Sequence, residues 1–100
     1  FRANFEYKTL TGVVINNQKL GSIVVIVLRQ DTDGDWAAFG IPEGTEIFAI
    51  ERKMFVNREE AIATWKENEW RLDTARGMKV SFMDRNDRVT EVYLRNSKSN

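Results

Sequence analysis

The run Ile23-Val24-Val25-Ile26-Val27-Leu28 constrains this chain more than any other feature. It contains no polar residue and no alternation. A short unbroken aliphatic run reads as a central strand buried on both faces, since a strand with one wet face would alternate. It is far shorter than the ~18 apolar residues of a membrane span, and no signal-peptide pattern precedes it.

The segments around it read as further strands. Phe1, Ala3, Phe5 and Tyr7 alternate with Arg2, Asn4, Glu6 and Lys8, the period of a half-buried strand. Thr11 to Ile15 is β-branched, and Asn16-Asn17 reads as a turn because Asn tolerates left-handed backbone. Asp31-Thr32-Asp33-Gly34-Asp35 reads as a hairpin loop, followed by a short strand from Trp36 to Ile41. Ile41-Pro42-Glu43-Gly44 suits a type I turn. Thr45 to Val56 reads as one long strand, with Phe48, Ile50, Met54 and Val56 on a face interrupted by Arg52.

A helix starts at Asn57. Asn is a good cap, and Glu59 and Glu60 complement the dipole in the first turn. Ala61, Ile62, Trp65 and Leu72 share one side at helical spacing, and Gly77 is the stop signal. Met78, Val80 and Phe82 then alternate, Asp84-Arg85-Asn86-Asp87 reads as a turn, and Val89 to Leu94 returns as a strand. The asparagine- and serine-rich end, residues 96–100, reads as a fraying tail.

These elements predict an α+β domain. It is mostly antiparallel β, with about six strands forming a small barrel or curled sheet, and one α-helix near residues 58–72. An open sheet with the helix across one face satisfies the same elements. The 100 residues suit one globular domain. The start at Phe1 rather than Met fits a domain excised from a longer chain, and the missing targeting signal points weakly to the cytoplasm.

Composition removes several chemistries. The chain has no Cys and no His. Thiol nucleophiles, zinc ribbons and a Ser-His-Asp triad are therefore impossible within it. Only oxygen ligands remain for a metal. Asp31, Asp33 and Asp35 resemble a calcium loop, but Gly34 falls at the fourth position and Pro42 at the twelfth, which an EF-hand loop does not allow. No carboxylate pair faces itself for acid-base work, since Glu59 and Glu60 point about 100° apart on a helix. The expectation is a non-enzymatic protein with no cofactor and no metal.

Lys plus Arg and Asp plus Glu are equal at 15 each, but unevenly spread. Residues 1–70 hold 8 basic and 11 acidic side chains; residues 71–100 hold 7 and 4. Trp65 belongs to the apolar side of the helix. Trp70 has two readings. If the helix runs to 72, Trp70 lies about 140° from the apolar side and is exposed. If it ends near Asn68, Trp70 and Leu72 both turn inward.

The leading functional reading is a small regulatory or interaction module binding a protein partner. Its anchors are Trp70, Arg71 and Arg76, with Trp36 as a second candidate, because exposed Trp and Arg dominate binding hot spots. An alternative is a single-stranded nucleic-acid binder using Lys79, Arg85, Arg88 and Arg95, with Trp70, Phe82 and Tyr93 as the nearby aromatics. A third is a structural subunit that pairs a sheet edge with a second copy. The helix is not basic enough for a membrane-surface role.

Overall fold

A computed structural model describes residues 4–29, 41, 42 and 44–95. The loop 31–35, Trp36 and the tail 96–100 lie outside the described residues. The strands are β1 (Asn4–Thr11), β2 (Val14–Ile15), β3 (Gln18–Lys19), β4 (Ser22–Arg29), β5 (Glu46–Ile50), β6 (Lys53–Met54), β7 (Met78–Met83) and β8 (Val89–Leu94). Helix α1 spans Arg58–Asn68 and continues as a 3-10 helix over Glu69–Asp73. The expected α+β class with a mostly antiparallel sheet is what forms.

The main sheet runs β1-β4-β5-β7-β8, with β6 paired to β5 and every pairing antiparallel. It is open, ending at β1 and β8, so the barrel alternative gives way to a sheet with the helix on one face. The aliphatic run forms β4, and every residue from Ile23 to Leu28 is buried. Its two faces feed two clusters. Val24, Ile26 and Leu28 meet Phe55, Ala61, Trp65, Leu72, Met78 and Leu94 on the helix side. Ile23, Val25 and Val27 meet Ile15, Phe48 and Ala49 on the other side, with Leu10, Val13 and Leu20 packed around them.

The second face is covered by the chain's own first hairpin. Thr11 pairs with Ser22 in the main sheet, Gly12 N–H donates to Gly21, Leu20 N–H donates to Val13, and Val14 pairs with Lys19. The register is therefore continuous from Asn4–Arg29 to Ile15–Gln18. Gly12 has φ +65, where the ribbon bends and its tip folds over the sheet. Asn16 and Asn17, at φ 51 and 65, make the expected turn.

A bulge in β5 matters for the same reason. Ile47 pairs with Phe82 and Ala49 with Ser81, leaving Phe48 as the extra residue. Phe48 and Ala49 thus both enter the hairpin-side cluster, while Ile47 and Ile50 stay on the helix side.

The strand expected from Thr45 to Val56 is broken. Glu51 and Arg52 take φ 49 and 67, a two-residue reversal that folds β6 back on β5. The reversal changes which residues face inward. Phe55 is fully buried and bridges to Val24, whereas Met54 and Val56, expected on the apolar face, are exposed. The turn after Ile41 also closes one residue later than expected, with Thr45 N–H and its hydroxyl both donating to Pro42 O.

Asn57 caps α1 as expected, its side chain accepting from Glu60 N–H at 2.8 Å. Ala61, Trp65 and Leu72 are buried, and Ile62 is half-buried. The 3-10 helix ends where Thr74 turns back on Arg71 O, with both its amide and its hydroxyl donating. Gly77 follows at φ +88, pressed so closely on the Leu94 carbonyl that any Cβ would overlap it.

Candidate functional site

Glu51 organises the surface beside the 3-10 helix, and its position follows from the β5–β6 reversal. Its carboxylate accepts from Lys79 N–H at 2.8 Å and from Arg76 Nη2. Its own amide donates to Lys79 O at 2.9 Å. Arg71 Nε lies 4.0 Å from the same oxygen. Partial burial pushes the Glu51 carboxyl up, but the Lys79 amide and the Arg76 and Arg71 guanidinium groups outweigh it, and its pKa lies below the ordinary 4.5.

Trp70 is 57% exposed, so the inward alternative fails. The helix tightens to 3-10 rather than becoming extended, which keeps Leu72 in and Trp70 out. The indole has a cationic partner over its ring. The Arg71 guanidinium carbon sits 4.5 Å from its ring centroid. Arg71 Nε also donates to Asn68 Oδ1 at 3.0 Å, and Asn68 Nδ2 donates to Thr64 O at 2.8 Å.

A second exposed aromatic extends the surface. Tyr93 on β8 stands directly across from Lys79, as their register requires. Arg76 lies 5.2 Å and Lys79 Nζ 5.4 Å from its ring centroid. Arg95 follows β8 and donates from Nη1 to Ala75 O at 3.2 Å. Farther along β8, Glu91 is held by Arg52, with contacts of 3.1 and 3.3 Å, and the hydrogen bond from Arg52 lowers its pKa.

Trp70, Arg71 and Arg76 are therefore brought together, and Lys79 and Arg95 join them. Arg85 and Arg88 do not. They sit in the β7–β8 turn at the far end of that hairpin, where Asp84 Oδ1 accepts the Asn86 and Arg88 amides. Phe82 is buried in the helix-side core. Trp36 lies outside the described residues.

Glu51 and the Arg52–Glu91 pair were missed by sequence reasoning. The one signal was Arg52 itself, a charge breaking the apolar alternation of 45–56.

Arg71, Arg76, Lys79 and Arg95 make the surface beside Trp70 rich in cationic groups. Its one central carboxylate is saturated with cations and held ionised, which makes it a poor proton acceptor. Among the described residues no group of three or more Asp or Glu is placed to hold a metal. A separate cleft of about 400 Å³ lies on the hairpin side between Ile15, Leu20, Phe48 and Val89, with Arg52 and Glu91 among its lining. Among the described residues no helix is long and apolar enough to cross a membrane. No family model matches this chain, and neither does any curated protein or solved structure.

Proposed function

We propose that this chain is a non-enzymatic interaction module, acting in the cytoplasm, that docks a protein partner through Trp70 flanked by Arg71 and Arg76. The observation that carries the reading is that Trp70 is exposed yet held, stacked by an arginine that is itself tied to Asn68. A preordered Trp–Arg anchor loses little entropy on binding, and such residues supply most of the energy in protein hot spots. Arg71, Arg76, Lys79 and Arg95 lie on the same surface, and the Glu51 carboxylate among them is already engaged by Arg71, Arg76 and the Lys79 amide. The complementary partner surface carries carboxylates around an apolar socket.

Panning a random dodecapeptide display library against the immobilised chain tests this. The expected result is enrichment of acidic peptides that bind the wild type and not Trp70→Ala. Thermal denaturation of Trp70→Ala should remain cooperative, with a stability loss within about 0.5 kcal/mol for a surface side chain. Peptides that bind both proteins equally, or a Trp70→Ala chain that loses several kcal/mol, would sink the reading.

Tyr93 beside Lys79 and Arg76 supports one second reading, a stacking platform for single-stranded nucleic acid. It predicts that mixed oligonucleotides quench Trp fluorescence at low salt, that added salt reverses the quench, and that Trp70→Ala abolishes it. An unchanged signal at low salt removes this second reading.

A further inference from the structure

The outer edge of β1 has an unusual self-complementarity. Val24 N–H donates to Phe55 O and Leu28 N–H to Thr45 O, so the backbone groups of even-numbered β4 residues face β5 and β6. Backbone direction alternates along a strand. The odd-numbered residues Ile23, Val25, Val27 and Arg29 therefore face β1, opposite Leu10, Lys8, Glu6 and Asn4. The amides and carbonyls of Phe5, Tyr7, Thr9 and Thr11 consequently point away from the sheet. Among the described residues no strand pairs with that side.

We infer that β1 pairs antiparallel with β1 of a second copy of this chain, about a two-fold axis at Tyr7. An axis there sets the outward-pointing groups in register. Tyr7 exchanges bonds with the partner's Tyr7, and Phe5 with the partner's Thr9, giving about six backbone hydrogen bonds across the axis. The same register places Glu6 opposite the partner's Lys8, and does so twice by symmetry. These are non-hydrogen-bonded pairs, in which opposed side chains lie closest. Both side chains are exposed on the hairpin face. Each now holds one partner within its own subunit, Arg29 at 2.8 Å for Glu6 and Glu46 at 3.2 Å for Lys8.

Neighbouring registers fail on charge. An axis moved to Glu6 opposes Glu6 to itself, and one moved to Lys8 opposes Lys8 to itself. The other sheet edge has no such option, because Glu91 is the one charge within β8 and no register can set it opposite a cation of the same strand. The edge strand β1 is also long, at 8 residues, and its sequence NFEYKTLT contains no Pro to block pairing.

Sedimentation equilibrium over a wide concentration range tests the inference. The expected mass rises with concentration from 11.6 kDa to twice that value and no further. Thr9→Pro is the clean disruptor. It removes an outward N–H that makes no bond to β4, so circular dichroism should be unchanged while the dimer disappears. Glu6→Lys and Lys8→Glu each face like charges twice, and each should raise the dimer dissociation constant by about tenfold. An equimolar mixture of these two variants restores opposite charges at both positions and should recover the dimer as a mixed species. A wild type that stays monomeric at all concentrations overturns the inference. So does a dimer that survives Thr9→Pro, growth beyond two copies, or a mixture no tighter than its parts.

Discussion

Asn16-Asn17 and Glu51-Arg52 are both two-residue hairpin turns with left-handed backbone at both positions, φ 51 and 65 in the first and 49 and 67 in the second. Their geometry is nearly the same, and their chemistry is opposite. Asn tolerates this region because its short amide can satisfy nearby backbone, so the first turn is favoured by its own residues. Glu and Arg have no such compensation, and left-handed backbone costs a residue with a Cβ about 1–2 kcal/mol. The second turn is held from outside, by Arg76, the Lys79 amide and Glu91. Left-handed geometry can thus be specified locally or imposed by tertiary partners. The imposed case assembles the candidate binding surface.

The contrast can be broken most directly at Glu51. Glu51→Ala keeps the strained backbone and removes its restraints, and should lose about 2 kcal/mol in urea denaturation. Asn16→Ala removes only local compatibility and should lose about 1 kcal/mol. Equal losses would mean that the two turns are held alike. Glu51→Gly sharpens the point. It deletes the same carboxylate but relieves the backbone, and should recover about 1 kcal/mol relative to Glu51→Ala.

Acid titration probes the same turn. The folded pKa of Glu51 is lowered, so its contribution is fully present above the ordinary 4.5 and is lost as pH falls through the lower folded value. The stability of Glu51→Ala should therefore fall less steeply below that pH than the wild type's. An identical slope would show that the Arg76 and Lys79 contacts do not hold the turn in solution. Arg52→Gly should have the smallest effect on the urea midpoint, because relieved strain offsets an exposed ion pair of little worth.

The same contrast explains what could be read in advance. β4, the Asn57 cap, the Asn16-Asn17 turn and the Asp84–Asp87 turn follow from chemistry within a few residues. The reversal at Glu51 and the bulge at Phe48 do not. The reversal depends on the Arg76 guanidinium and the Lys79 amide, 25 and 28 positions away, and the bulge on the distant strand β7. Of the surface itself, Trp70, Arg71 and Arg76 were legible because they lie close together in the chain. Tyr93 was seen only as a nearby aromatic, since its stacking depends on the β7–β8 register. The exposure of Trp70 needed more than helical periodicity. The tightening to 3-10 geometry and the Thr74 turn keep Leu72 in and the indole out.

The order β1-β4-β5-β7-β8 has a kinetic meaning as well. β1–β4 and β7–β8 are ribbons, each closed by its own short turn, and they zip with little loop-closure entropy. β5 lies between them, and its pairing of Ile47 with Phe82 must enclose the helix. The prediction is that β5 docks after the two ribbons. Ile47→Val should then mainly speed unfolding, while Val25→Ala in the first ribbon mainly slows refolding. Stopped-flow chevrons with equal effects on both limbs at both sites would show instead that the sheet condenses all at once.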